Sequence, residues 1–484
     1  MQNARNELAG IFMGHIKGLS RYQTTLMPES LDELIDANNS VRVLNAFVDT
    51  LDMKVLGFAK VVPARTGRPP YDPADLLKLY LYGYLHQVRS SRRLERECGC
   101  NLEVMWLMNR LVPDFKTIAD FRKDHGPALV GVCRTFVGFC REQALFGAEL
   151  VAIDGSKFQA VASRKQALTA RQLEEHRTRL DEQIAQYLGQ LDTADAAEQT
   201  RPAGESSRAL AALEARRAEL QALAAEMAAR DRRSVVRGEP DAGLMHSGHG
   251  SELVAGYNVQ SAVDAKHGLI AHHEVTPDAN DHQHLYPIAV AAQAAIQAER
   301  LTVVADSGYH NGEQAAQCER AGITAIVPSP RTVNPHGDYF TKTDFVYDAV
   351  TDTYRCPAGA TLTYRTYHTQ EQVRLYATEA CGPCPLRLRC TKGKRRMVAR
   401  HYFADALEAM GRRARENPGW MIQRRSLAEH PFGTLKRWLT GGRFLVRGSA
   451  KVKGEMALAV TAYNLRRTLT ILGVPALLQR FNPA

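Results

Sequence analysis

The sequence predicts a mixed α/β protein in which a helical N-terminal part precedes a sheet with helices packed against it. Three features carry that expectation. Amphipathic runs such as DPADLLKLYLYGYLHQVRS fill the first 145 residues. From residue 148 the texture changes to short apolar runs, of which VAID and VVAD each end in an acid. The order that follows, strand, hairpin, helix, strand, helix, strand, builds a mixed sheet rather than a bundle or a sandwich.

A chain of 484 residues with 45% hydrophobic content buries a sizeable core. No apolar stretch is long enough to span a bilayer, and MQNARNELAGIF lacks the apolar core and cleavage site of a secretory signal, so a cytoplasmic location is expected. Lys and Arg outnumber Asp and Glu by 62 to 52, and from Pro385 to Lys453 the count is 18 against 4. That concentration suits a polyanion, foremost nucleic acid, although a solvated basic surface or a membrane-facing patch has the same composition.

In the helical region, residues 1–145, Asp72 before Pro73 is an N-cap followed by proline at the first helical position. Arg92, Arg93, Arg96, Lys116, Arg122 and Lys123 then recur among apolar positions of several short helices. Such a basic face fits a helix-turn-helix-like DNA-binding module, and an ordinary helical packing domain fits equally. The sheet domain is expected over 146–475, with 476–484 as a tail. Residues 165–240 interrupt it with two helical halves divided around Arg201-Pro202-Ala203-Gly204-Glu205. Leu173, Leu180, Ile184 and Leu188 in one half, and Leu210, Leu213, Leu220, Leu223 and Met227 in the other, keep helical spacing and predict a helical hairpin. Clamping DNA, joining protomers or no function at all are equally open for it. The sheet resumes as a strand hairpin around Asp264-Ala265-Lys266-His267-Gly268, then a helix over about 281–298, LTVVAD, a helix from about Gly312, and ITAIVP.

Asp154 and Asp306 stand at the C-terminal ends of apolar strands, each followed by a small residue, which is where open α/β sheets place their ligands. Two carboxylates brought together there repel unless cations separate them, and a pair of divalent ions is the usual arrangement for attack at phosphate. Taken singly, each Asp would also cap a turn. In MIQRRSLAEHPFGTLKRWLTGGRF, Arg425, Glu429 and Lys436 project from one side of a helix at about 100° per residue, with a kink expected at Pro431. A carboxylate between two phosphate-binding cations results, and a surface helix with paired charges shows the same spacing.

Cys356, Cys381, Cys384 and Cys390 form C-x24-C-x2-C-x5-C within residues 331–400, with Pro and Gly supplying tight turns. Four thiolates close a tetrahedral Zn²⁺ shell, so a structural zinc module is expected, its metal replacing a core that this stretch otherwise lacks. Cys98, Cys100, Cys133, Cys140 and Cys318 read as core residues, and the histidines from His272 to His284 as unrelated to metal.

These residues resemble those of the DDE transposases of bacterial insertion sequences, in the branch with a Tyr-Arg-Glu-Lys signature. In it Arg precedes Glu by four positions and Lys follows by seven, as Arg425 and Lys436 do around Glu429, while Ile422 stands at the Tyr position. LMPESLDELI, GRPPYDPADLLKLYLYGYL and PDFKTIADFRK resemble the family's N-terminal part. VAIDGSKFQAVAS, GYNVQSAVDAKHGLI, VVADSGYHNGEQ and RRSLAEHPFGTLKRW resemble its catalytic core in order. EPDAGLMHSGHG also matches, with no role for Asp241 or His246, and the family-like sequence beginning near Met13 suggests a start-site extension over residues 1–12.

The resemblance implies an RNase H-like catalytic fold with two Mg²⁺ or Mn²⁺ ions on Asp154, Asp306 and Glu429, serving both cleavage of DNA at the element's ends and strand transfer into target DNA. Arg425 and Lys436 would grip phosphates beside the scissile bond, with Lys157 and Tyr309 as lesser contacts. Pairing two ends implies a dimer on DNA. The alternatives are an RNase H-like nuclease without strand transfer and a catalytically inactive, zinc-containing DNA-binding regulator.

Overall fold

The N-terminal helices begin where short polar side chains satisfy their first free N–H groups. In the computed structural model, which describes residues 30–63, 69–196, 203–246, 253–330, 339–439 and 441–481, Asn39 caps α1 (Ser40–Asp49) and Asp72 caps α2 (Pro73–Leu85), accepting from Ala74 N as its place before Pro73 predicts. The start-site extension and the Arg201-Pro202 division lie outside the described residues. Asn101 ends α3 (Ser91–Cys100) and caps α4 (Leu102–Leu107), Asp114 caps α5 (Phe115–Asp124), and α6 (Gly126–Glu142) follows.

The main sheet is built on β1 (Leu150–Gln159). Between it and its antiparallel partner runs an excursion of β2 (Ala167–Thr169), α7 (Ala170–Ala196), α8 (Ala203–Ala229), β3 (Ser234–Val236) and β4 (Gly243–His246). β2 pairs with β3 at the root of the α7–α8 hairpin. Leu173, Leu180, Ile184, Leu220 and Leu223 close the hairpin's own small core with Val235, whereas Leu188 is exposed. Asp241, for which the sequence offers no role, accepts from Arg230 and from Ser449 N, so it anchors the excursion to a C-terminal helix.

β5 (Leu253–Asp264) lies antiparallel to β1, and β6 (Ile270–Thr276) pairs with its far edge beyond β4. After α9 (Leu285–Ile296), β7 (Leu301–Val304) runs parallel to β1, and after α10 (Gly312–Arg320), β8 (Ile323–Ile326) runs parallel to β7. The order is therefore β6-β5-β1-β7-β8, with β4 beside the start of β5.

A separate antiparallel sheet follows, in the order β13-β12-β11-β10-β9, from β9 (Val346–Asp348), β10 (Thr353–Arg355), β11 (Thr361–His368), β12 (Val373–Ala377) and β13 (Met397–His401). This cysteine-bearing segment does not lack apolar material. Phe345, Tyr354, Leu362, Tyr376 and Val398 bury one another, and Asp352 accepts from both Tyr347 and Tyr376 hydroxyls. α11 (Ala404–Glu416) and α12 (Pro418–Trp438) return the chain to the main sheet, α12 running through Pro431. α13 (Ser449–Leu472) and α14 (Val474–Phe481) follow, so the expected tail is helical as far as Phe481, with Leu477 and Phe481 buried. No helix among the described residues is long and apolar enough to cross a membrane.

α13 lies against α6 and α2, which merges the N-terminal helices and the sheet into one continuous core. At its centre Glu455 is fully buried and accepts from Arg89 at 2.7 Å, Tyr84 hydroxyl at 3.3 Å, and the backbone N–H groups of Leu445 and Val446. Arg122 stands 3.9 Å from the same carboxylate, with its guanidinium over Tyr80. The structure thus removes Arg122 from the basic face proposed from sequence: it compensates a buried charge, while Arg92, Arg93, Arg96, Lys116 and Lys123 stay exposed. Removing one partner of a buried pair leaves the other uncompensated. Glu455→Ala should therefore cost about 3–5 kcal/mol in urea denaturation, and a cost below about 1 kcal/mol would show that the N-terminal helices are held by apolar packing alone.

Candidate active site

Strand lengths place the two acids. β1 pairs with β7 only over Leu150–Ala152, so Asp154 lies just past the end of the parallel pair, and Asp306 follows two residues after β7. Asp306 caps a short turn by accepting from Gly308 N at 2.8 Å. Asp154 Oδ1 accepts from Gly155 N at 2.9 Å, and its Oδ2 stands 3.4 Å from Arg424 of α12. Burial pushes the Asp154 carboxyl up to about 6, against the pull of Arg424, and the like charges of Asp306 and Asp281 push the same way.

Lys157 and Lys436 face this pair. Lys157 Nζ lies 3.8 Å from Asp281 Oδ1, and Lys436 packs over the Phe158 ring while sensing both Asp154 and Lys157. Burial lowers the pKa of each lysine, and the neighbouring carboxylates oppose the shift. Tyr309 is buried, its hydroxyl donating to Gln260 Oε1. The structure therefore brings Asp154, Asp306, Lys157, Tyr309 and Lys436 to one place.

It does not bring Glu429 and Arg425 there. The stripe of α12 turned to the sheet is Arg424, Ala428, Pro431 and Leu435, and the stripe singled out at helical spacing lies one residue further round. Glu429 and Arg425 are exposed, and Arg424 is the residue that meets Asp154. Among the described residues no three His, Cys, Asp or Glu side chains are close enough to hold a metal as they stand. The donor chemistry nonetheless fits a hard divalent cation: carboxylate oxygens, mutually repelling, in a partly dry site.

Two residues missed from sequence complete the site. Arg424 was passed over because its neighbour fitted the spacing of a cation four residues before an acid. Asp281 lies in TPDANDHQH, which reads as an ordinary polar turn. Only the fold reveals that it accepts from Asn258 at 2.7 Å and Gln260 at 2.6 Å, both on β5.

The four cysteines Cys356, Cys381, Cys384 and Cys390 line a single cavity and carry no disulfide. Burial raises the Cys390 thiol, as do the three other sulfurs, against Arg396. Of the remaining cysteines, Cys98, Cys133, Cys140 and Cys318 are buried and Cys100 is exposed.

Two family models match the chain. One, described as a transposase domain (DUF772), covers residues 29–124, and the other, a transposase DDE domain, covers residues 355–469. The first spans α1 to α5 and the second includes Glu429, while Asp154 and Asp306 fall between them. No curated protein sequence matches the chain. Among solved structures, a piggyBac transposase synaptic complex with hairpin DNA aligns over 92% of this chain and 79% of that chain, with 8% identity and a TM-score of 0.32, too loose to establish a shared fold.

The raised Asp154 pKa has a direct consequence for stability. An acid whose folded pKa exceeds its unfolded value destabilises the fold progressively as pH rises between the two, here from 3.8 to about 6, and fully above them. At 1.36 kcal/mol per unit the penalty is on the order of 3 kcal/mol. Asp154→Asn should raise the Tm of the metal-free protein by about 2–3 °C at pH 7.5 and leave it unchanged at pH 3.5. An equal Tm for both proteins at pH 7.5 would mean that neither burial nor like charge raises the Asp154 carboxyl in the fold.

Proposed function

The chain is a DDE transposase, and on that premise we propose that Asp154 and Asp306, joined by Glu429, hold two divalent cations, Mg²⁺ or Mn²⁺, for DNA cleavage at an insertion sequence's ends and strand transfer into a target. The observation that carries this is the pair of carboxylates just beyond β1 and β7, one of them driven up by burial and like charge. The strand order β6-β5-β1-β7-β8, with β5 antiparallel to β1, and β7 and β8 following it in parallel, supports an RNase H-like reading of the core.

Two cations, when bound, would supply Lewis acidity to the attacking and leaving oxygens of in-line displacement at phosphorus. The chain's own residues do the rest. Lys157 and Lys436 bring positive charge beside Asp154, where the scissile phosphate must sit, and Arg425 extends it along the exposed side of α12. Arg424, 3.4 Å from Asp154, would balance its charge and would have to yield to a cation bound there, and Glu429, on the exposed side of α12, would have to turn toward the pair to join them. Joining two ends in one reaction calls for a dimer on DNA.

We infer also that Cys356, Cys381, Cys384 and Cys390 hold a structural Zn²⁺, supported by their common cavity and the affinity of thiolates for that ion. The purified chain should contain about one zinc per molecule by elemental analysis, reduced by Cys384→Ser. Equal zinc in both proteins would place any metal elsewhere.

With the element's own end DNA and a target plasmid, wild-type protein should give cleaved and joined products. Asp154→Asn and Asp306→Asn should each lose several kcal/mol of transition-state stabilisation, roughly 1,000-fold in rate or more, while end binding in a gel-shift assay persists. Cleavage without joining by the wild type would favour a nuclease, and no activity that Asp154→Asn can remove would favour a DNA-binding regulator.

A further inference from the structure

We propose that Asp281 is a fourth carboxylate of the cation site, an inference that rests on the metal-binding reading of Asp154 and Asp306. Asp281 stands between β6 and α9, with its Oδ1 against Gly155, the residue after Asp154. Its Oδ1 is fixed by the Asn258 and Gln260 side-chain amides, both on fully buried residues. Its Oδ2 accepts no hydrogen bond among the described residues. A carboxylate with one oxygen held by two amides, with Lys157 3.8 Å away, and the other oxygen without a donor is the arrangement by which surrounding groups orient a metal ligand.

Two glycines show where the free oxygen points. A Cβ on Gly308 would lie 2.9 Å from Asp306 Oδ1 and 3.7 Å from Asp281 Oδ2, so these oxygens face one small space. A Cβ on Gly155, the residue after Asp154, would lie 2.5 Å from Asp281 Oδ1 and 3.0 Å from Asn258 Oδ1. The unpartnered Asn258 oxygen is a second sign of a cation-binding site. Its amide orientation is set by the bond from Nδ2 to Asp281, which leaves Oδ1 buried, aimed at the site and without a partner. Buried acceptors are costly unless something donates to them. Asp281 thus meets Asp306 beside Gly308 and Asn258 beside Gly155, the residue after Asp154, and a divalent cation with its retained waters would draw these oxygens together into a site that is not closed as they stand.

Asp281→Asn is the discriminating variant, since its oxygen still accepts from Asn258 and Gln260 while an amide nitrogen replaces the free oxygen. Mn²⁺ is titrated calorimetrically into the full chain without DNA, for wild type, Asp281→Asn and Asp154→Asn, with the Tm of each metal-free protein recorded. Asp281→Asn is expected to weaken Mn²⁺ binding about 10-fold or more without lowering the Tm. Wild-type affinity in Asp281→Asn, with binding lost in Asp154→Asn, overturns this assignment and leaves the metal-site reading intact. Absence of Mn²⁺ binding by wild type overturns both. Should Asp281→Asn fail to fold, Gly308→Ala, on an exposed turn, inserts a methyl between the Asp306 and Asp281 oxygens. It is expected to weaken Mn²⁺ comparably, and unchanged affinity overturns the assignment.

Discussion

The buried charge of Glu455 sets the conditions under which the rest of the molecule can exist. A carboxylate removed from water must be surrounded by donors, and here they come from distant parts of the chain: Arg89 and Tyr84 from the N-terminal helices, and the N–H groups of Leu445 and Val446 just before α13. Arg89 also donates to the carbonyl of Arg443, and the strand-like segment around Arg443 is bonded to Gln159 at the end of β1. One neutralised charge therefore ties together the helices that open the fold, the exit of α12 and the strand that carries Asp154. The geometry of the site is inherited from that junction.

The site itself is an electrostatic balance rather than a finished coordination shell. Asp154, Asp306 and Asp281 push against one another in a partly dry space, while Arg424, Lys157 and Lys436 offset part of the repulsion from three directions. Arg424 stands against Asp154, and the acid expected on the same helix remains in solvent.

Local chemistry was legible in the sequence and long-range pairing was not. Asp72 before Pro73 identified a helix start, leucine spacing identified the α7–α8 hairpin, and two apolar runs closing on an acid identified the strands beyond which Asp154 and Asp306 stand, because each signal lies within a few adjacent residues. Asp281 escaped because its partners Asn258 and Gln260 lie on β5, a strand buried along most of its length and so without the alternation that tells one face from the other. Arg122 escaped because a buried cation and a solvated one look alike until Glu455 is placed beside it. On α12, Arg425 and Glu429 lie one residue round from the stripe that packs on the sheet: periodicity says which residues share a face, and only packing says which face meets the sheet. The cysteine segment misled in another way, since its aromatic residues are scattered in sequence and meet only across β10, β11 and β12.

The merging of the first and last helices has a consequence for how the molecule is made. α2 and α6 bury their apolar faces against α13, which begins at Ser449, more than 300 positions after α6 ends at Glu142. Until α13 is made the N-terminal helices lack both an apolar partner and the acid that neutralises Arg89 and Arg122, and contacts of such long sequence separation form late. The nascent protein therefore stays incomplete around the N-terminal helices until α13 has been made, and the strand bearing Asp154 reaches its final setting only once α13 is in place.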